Sequence, residues 1–454
     1  MNLKRYPFPV KLLTIFAWLA LWVVAPVPLE AQLFERPTVL EGVYLPLAGG
    51  GVSDPVTIVI RRGKVAEMSS QVDVPMLAKR MDVKGLYATA GLVDLSSSLT
   101  LGSVSSGDPV HSAWDGFDRY DSDSIRAVIA SGVTKIQLQP SGPAGIVGRV
   151  SAISLSPREE GGHGILEDED VALCIDLNQG TPLERIRIFE KVRDAFLAAQ
   201  RREEGQDEYS EELEEYLEAL AEAAKKKAEQ GDDKDGEKKD GEKKDGEKKD
   251  DAEEGPKKPA RLERNPGTDV LLQALRHQLP VRVIARRSQD ILNAIDLANE
   301  FEFVLHLQGA DEAHMVLESL AAVDDLTVLL DVPQQPPSRG GAPRRSPALL
   351  SHLEEAGISW AVGSGGESTS LWRAVRAISG GGMESSALSM ATSGTNPRSS
   401  RPGRSAAGGL RRGASDLVLW TGNPAIDATA RPERVIINGT VVWQRPAGTK
   451  EGSF

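Results

Sequence analysis

The chain has 454 residues, 40% of them hydrophobic and 5% aromatic, with a formal net charge of −13. That length allows two or three domains, with cores built mainly from Val, Leu, Ile and Ala. The acidic balance excludes a nucleic-acid partner, because phosphate binding needs a basic surface.

In chain order, residues 1–31 read as a signal peptide. Lys4, Arg5 and Lys11 give a positive start, Leu12 to Val24 is an unbroken apolar run, and small Ala31 offers a cleavage point in "LEAQ". The run falls short of the ~20 residues that span a bilayer. No second run of spanning length follows, so the expected location is periplasmic or extracellular. An uncleaved signal would instead leave an N-terminal membrane anchor. Cys174 is the only cysteine, so the exported fold has no internal disulfide. Within the apolar "DVALCIDL" it reads as a buried, inert thiol.

Residues 38–91 show short β-segments, among them "VTIVIRRGKVAEM", two strands around a turn at Gly63. Residues 405–446 match them. "SDLVLW" is a strand, and "RVIINGTVVWQR" is a hairpin turning at Asn438-Gly439. The two β-rich ends are expected to build one composite β-sandwich. Between them, over 92–392, apolar runs such as "GVTKIQLQP", "PVRVIAR", "FEFVLHLQ" and "ISWAVGSG" alternate with helical segments such as "DSIRAVIAS" and "DILNAIDLANE". This is the pattern of parallel βα units covered on both sheet faces. About eight such units over ~300 residues predict an α/β fold, a (β/α)8 barrel of TIM type. An open doubly wound sheet is the alternative.

An insertion at 197–262 breaks the rhythm. A helix is expected from Glu184 to Gln230, with Ile186, Phe189, Val192 and Phe196 as its apolar stripe and a highly charged second half. A threefold Asp-Gly-Glu-Lys-Lys repeat follows, with nothing apolar to bury, and is expected to be a disordered tether. The basic "SGTNPRSSRPGRSAAGGLRRG" reads as a loop before the closing strands.

Taken in order, these pieces resemble the amidohydrolase superfamily, in particular its imidazolonepropionase-like secreted members. "GLYATAGLVDLSSSLTLG" resembles their entry strand, usually Pro-Gly-Leu-Ile-Asp followed by His-x-His. "ASGVTKIQLQPSGPAGIVGRVSAI" is similar to their Gly-Val-Thr-Thr unit, and "SDLVLWTGNP" with "VIINGTVVW" to their closing segment. The resemblance implies zinc or another divalent metal at the C-terminal ends of the strands, held by histidines and carboxylates. Such a metal lowers the pKa of a bound water that attacks a C–N bond. Carried onto this chain, the strand-1 histidines fall on Ser96 and Ser98. The strand-5 histidine falls on Ile284, its companion on Arg286, the strand-6 histidine on Gln308 and the strand-8 aspartate on Gly365.

Every matched ligand is thus replaced, and the expectation is no metal, no cofactor and no catalytic residue: a degenerate, non-enzymatic binding or structural scaffold. Two alternatives stand beside it. One is an active hydrolase of non-peptide C–N bonds with a relocated site. The other is an assembly partner of an intact paralogue, with the charged helix as the docking element for a protein partner.

The old pocket is expected to be lined by Asp94, Ser96, Ser98, Arg286, His306 and Gln308. Asp94 lies two residues before Ser96 and His306 two before Gln308, which places each on its neighbour's strand face. Together Asp94 and His306 would be a poor ligand set. Arg286 offers a fixed positive charge for a carboxylate or phosphate, or a partner for an acid such as Asp290 or Glu312. "GSGG" at 363–366 and "SGPAGIVG" lack the side chains of a nucleophile elbow and a P-loop, and read as turns.

Overall fold

A computed structural model of the chain describes residues 36–47, 51–102, 107–231, 257–261, 263–331, 344–378 and 410–446. The signal-like segment, the Asp-Gly-Glu-Lys-Lys repeat and most of the basic Gly/Ser-rich segment lie outside the described residues.

The chain opens with β1 (Thr38–Val43), β2 (Val56–Arg61), β3 (Lys64–Ser69) and β4 (Lys79–Asp82), which form a sheet in the order β3-β2-β1-β4. Next comes β5 (Tyr87–Ala90), which leaves that sheet and leads into the barrel.

The barrel elements are β6 (Leu92–Ser97), α1 (Ser122–Ala130), β7 (Val133–Leu138), β8 (Gly145–Pro157), β9 (His163–Asp176), α2 (Pro182–Gly231) and α3 (Pro266–Leu275). They continue with β10 (Val281–Ala285), α4 (Ser288–Phe301), β11 (Leu305–Gly309), α5 (Leu317–Ala321), β12 (Thr327–Leu330), α6 (Leu349–Glu355), β13 (Ser359–Val362) and α7 (Leu371–Ile378). The eight strands lie side by side in sequence order. A parallel bridge from Ser97 to Gly366 joins the first strand to the loop after the last.

One strand departs from the expected parallel set. β8 runs antiparallel to both β7 and β9. Only Gln139 to Ala144 connect β7 to β8. A parallel return needs a crossover of a dozen or more residues, so so short a link reverses the strand.

The outward residues of the strands pack under the helices. Val281, Val283 and Ala285 of β10 and Leu305 and Leu307 of β11 share one apolar cluster with Ile291, Leu297 and Phe301 of α4. Each buried aliphatic side chain there contributes about 1.5–3 kcal/mol. Inside the barrel the apolar filling is smaller, with Val93, Leu95, Leu329 and Ala361 as one group.

α2 begins with a reciprocal cap, in which Thr181 N–H donates to the Glu184 carboxylate at 2.6 Å. Phe189, Val192, Phe196 and Ala199 lay its first half on the barrel. Phe196 stacks on Phe301 and Phe303, with ring centroids 5.1 and 5.4 Å away. Ile186, expected in this stripe, is 52% exposed. Arg185 takes the inward place one turn before Phe189 and donates to Asp290 at 2.9 Å.

Strands β14 (Leu417–Trp420), β15 (Pro432–Ile437) and β16 (Thr440–Gln444) complete a second sheet, ordered β16-β15-β14-β5. Positive φ angles of 48° at Asn438 and 75° at Gly439 make the expected tight turn. Leu40, Ile58 and Ile60 meet Leu417, Leu419 and Ile436 between the two sheets. The alternate residues Val418, Trp420 and Val435 join the barrel cluster instead. Both ends of the chain therefore build one β-sandwich docked on the barrel. Among the described residues, no helix is long and apolar enough to cross a membrane.

Candidate functional site at the barrel mouth

The C-terminal ends of β10 to β12 carry an ion network. Arg286 follows directly on β10, and its guanidinium donates to Asp331 Oδ1 at 2.5 Å and to Asp311 Oδ2 at 3.2 Å. Gln308 on β11 donates to the other oxygen of Asp331 at 2.9 Å. Arg345 donates through Nε to Asp311 Oδ1 at 2.6 Å and also reaches the backbone carbonyl of Asp331. Two arginines and two aspartates thus neutralise each other, and Asp331 is fully buried. Burial alone would push the Arg286 pKa down, but Asp331 and Asp311 hold it above its ordinary value. Gly309, at φ 92°, makes room for this arginine, since a Cβ there would stand 2.8 Å from Arg286 Cγ.

The acids expected to pair with Arg286 are engaged elsewhere. Asp290 takes Arg185. Glu312 accepts from the Ser288 N–H at 2.8 Å and the Arg344 N–H at 3.1 Å, so it caps the start of α4. Asp311 and Asp331 take the role because both project from strand ends around the mouth. The terminal position of Asp331 in "TVLLD" was the available sequence signal.

Across the mouth, β6 meets the loop after β13 through backbone groups, serine hydroxyls and one carboxylate. Asp94 is fully buried there. It accepts from Ser364 N–H at 2.8 Å and from the hydroxyls of Ser364 and Ser368, both at 2.6 Å. Ser96 Oγ accepts from the Gly365 N–H at 2.8 Å, and Ser98 Oγ donates to the Gly366 carbonyl at 2.9 Å. Three expected pocket residues, Asp94, Ser96 and Ser98, thus form one seam, while Arg286 and Gln308 share the ion network.

His306 belongs to neither group. It pairs in register with Arg282, a residue that the sequence reading passed over. Arg282 crosses the barrel interior, donating to the Leu95 carbonyl at 2.7 Å, to Gln139 at 3.3 Å and to Gln137. Burial lowers its pKa to about 10. Burial, with Arg282 beside it, lowers the His306 pKa to about 3, so the imidazole is neutral. Cys174 faces the same interior, and burial pushes its thiol up to about 12. It is a free, buried cysteine with no thiolate character at neutral pH.

The metal implied by the resemblance can be tested against these residues. Among the described residues, no group of three or more His, Cys, Asp or Glu side chains could hold a metal ion. Asp311 and Asp331 already bind guanidinium groups, Asp94 is held by Ser364 and Ser368, and Arg286 would repel an incoming divalent cation. The described residues do not fit a metal.

No family model and no curated protein matches the chain. Among solved structures, the chain is similar to an amidohydrolase from Thermotoga maritima MSB8, with 20% identity over 90% of this chain and 100% of that one, at a TM-score of 0.63. Looser likenesses are an adenosine deaminase from Xanthomonas campestris with bound zinc, at 13% identity, 89% and 92% coverage and a TM-score of 0.47, and a beta-aspartyl dipeptidase from Fervidobacterium islandicum-AW-1, at 14%, 91% and 100%, and 0.46. On the closed barrel, the composite sandwich and the first of these likenesses, the chain has the fold of the amidohydrolase superfamily.

Proposed function

We propose that this protein performs no metal-dependent hydrolysis and uses its amidohydrolase-fold barrel as a non-catalytic scaffold. The observation that carries the reading is the Arg286 guanidinium held by Asp331 and Asp311. Hydrolysis of a C–N bond on this fold needs a hydroxide generated at a metal. Here Arg286 and Arg345 are paired with Asp311 and Asp331, and serine, isoleucine, arginine, glutamine and glycine stand at the matched ligand positions.

The test is elemental analysis of protein loaded with zinc, manganese or iron and then desalted, followed by assay on imides, dipeptides and lactams with metal supplied. The expected result is far less than one metal per chain and no turnover. One or two metals per chain with turnover would overturn the proposal.

The reading has two further parts. The leader-like pattern of residues 1–31 supports export to the periplasm or beyond. N-terminal sequencing of protein recovered outside the cytoplasm checks it, and recovery in the cytoplasmic fraction alone would refute it. The protruding half of α2 supports assembly with a protein partner, since Leu217 and Leu220 lie 55% and 40% exposed upon it.

A further inference from the structure

The barrel interior holds a cation that stands outside the ion network of the mouth. Arg282 is 3% exposed, and its guanidinium meets only neutral acceptors. Nη1 donates to the Leu95 carbonyl and to Gln139, and Nη2 donates to Gln137. Its Nε is buried with no hydrogen-bond partner among the described residues. Among those residues no carboxylate forms an ion pair with it. Asp94 and Asp331 act on it only from a distance. Asp94 is bonded to Ser364 and Ser368, and Asp331 to Arg286 and Gln308. A buried charge without an opposite charge in contact is strongly unfavourable, and a buried donor left unbonded adds to that.

The strands around Arg282 leave room beside it. Val281 and Val283 of β10, Leu305 and Leu307 of β11, Val328 of β12 and Trp360 of β13 belong to the cluster under the helices. Alternation therefore turns Arg282, Ile284, His306, Thr327 and Ser359 inward. Arg282, His306, Thr327 and Ser359 stand in one row, each paired in register with the next. Ile284, His306, Thr327 and Ser359 are nevertheless only partly buried. Space of solvent size thus adjoins the row. Thr327 and Ser359 begin their strands, so the row opens toward the N-terminal end of the barrel, opposite the mouth.

We propose that Arg282 binds a chloride ion at its Nε, reached from the N-terminal end of the barrel and lined by His306. Charge sets the class of ligand. The member of the row on β9 is Cys174, in register with Arg282, and its thiol keeps its proton. Lys135, inward on β7, is already matched by Glu167 at 2.5 Å. His306 is neutral and can donate one ring N–H without adding charge. A water would bond to Nε but leave the guanidinium uncompensated, while a phosphate dianion would bring a second charge with nothing to meet it. Geometry sets the size. Both hydrogens of Nη1 are engaged, so the Nη1–Nη2 fork that grips a carboxylate or phosphate is closed. A single-atom anion needs only the Nε side.

Thermal unfolding of the full chain tests this at constant ionic strength, with chloride replacing gluconate, an anion too bulky for the row. The unaltered protein is expected to show a saturable rise in Tm of about 2–4 °C. Arg282→Met is expected to show no saturable rise. Crystals of the unaltered protein in bromide give a readout that does not depend on how the variant folds. The expected result is an anomalous bromide peak inside the barrel beside Arg282 Nε.

A Tm that does not respond to chloride overturns the proposal, and so does a saturable response that survives Arg282→Met. A water at Nε in the bromide crystals, with no anomalous peak, overturns it as well. A rise with formate and none with chloride overturns the choice of a halide. The non-catalytic reading is judged separately by metal content, which none of these measurements touches.

Discussion

The two sides of the barrel mouth are closed by different physics. On the β6–β13 side, backbone and hydroxyl groups approach one another closely. Gly363 has no room for a side chain, since a Cβ would stand 2.2 Å from Ser96 Oγ and 3.1 Å from the Ser96 nitrogen. On the β10–β12 side, full charges face one another at low exposure. The first side tolerates no added volume, and the second tolerates no lost charge. Both stand where the resemblance places metal ligands.

The comparison predicts where the molecule breaks. The largest effect is expected from Arg286→Met, which leaves Asp331 buried without its cation and should cost about 3–5 kcal/mol in urea unfolding. Adding Asp331→Leu should recover most of that loss, because the uncompensated charge goes with it. A loss under about 1 kcal/mol for Arg286→Met would show that this side does not depend on the ion pair.

Gly363→Ala tests the opposite side. It should cost about 1–3 kcal/mol through overpacking, and Ser96→Gly in the same chain should relieve part of it. A neutral Gly363→Ala would mean that the seam is loosely packed.

The smallest effect depends on pH. His306 titrates at about 3 in the folded chain against 6.5 for the free side chain. Between those values the unfolded chain binds a proton that the folded chain does not. Stability should therefore fall as pH drops through that window, by at most about 1.4 kcal/mol per pH unit from this group, and be unaffected by it above pH 6.5. His306→Leu should flatten that part of the profile. An unchanged slope would place the acid sensitivity in groups other than His306; the buried Asp176 and Asp416, whose pKa values burial raises, act in the opposite sense.

Much of the fold was legible in local pattern. The β-branched runs became strands, Asn438-Gly439 made its turn, and the early stripe of α2 found the barrel, except at Ile186. Reversal of β8 was also written in the short Gln139–Ala144 link, although a count of apolar runs passes over link length. The site was less legible. Period two along β10 puts Arg282 on the face of Ile284, yet nothing local says that its guanidinium ends against Leu95 and Gln137, well over a hundred residues away.

The sequence by itself determined which residue types stand at the matched ligand positions, because side-chain chemistry and strand alternation are local. Only the tertiary structure decided what those residues do. Arg286 chose Asp311 and Asp331 over Asp290 and Glu312 because partners are set by which strand ends closure brings together. Asp94 became part of a seam for the same reason: its acceptors are filled by Ser364 and Ser368, which only barrel closure carries to β6.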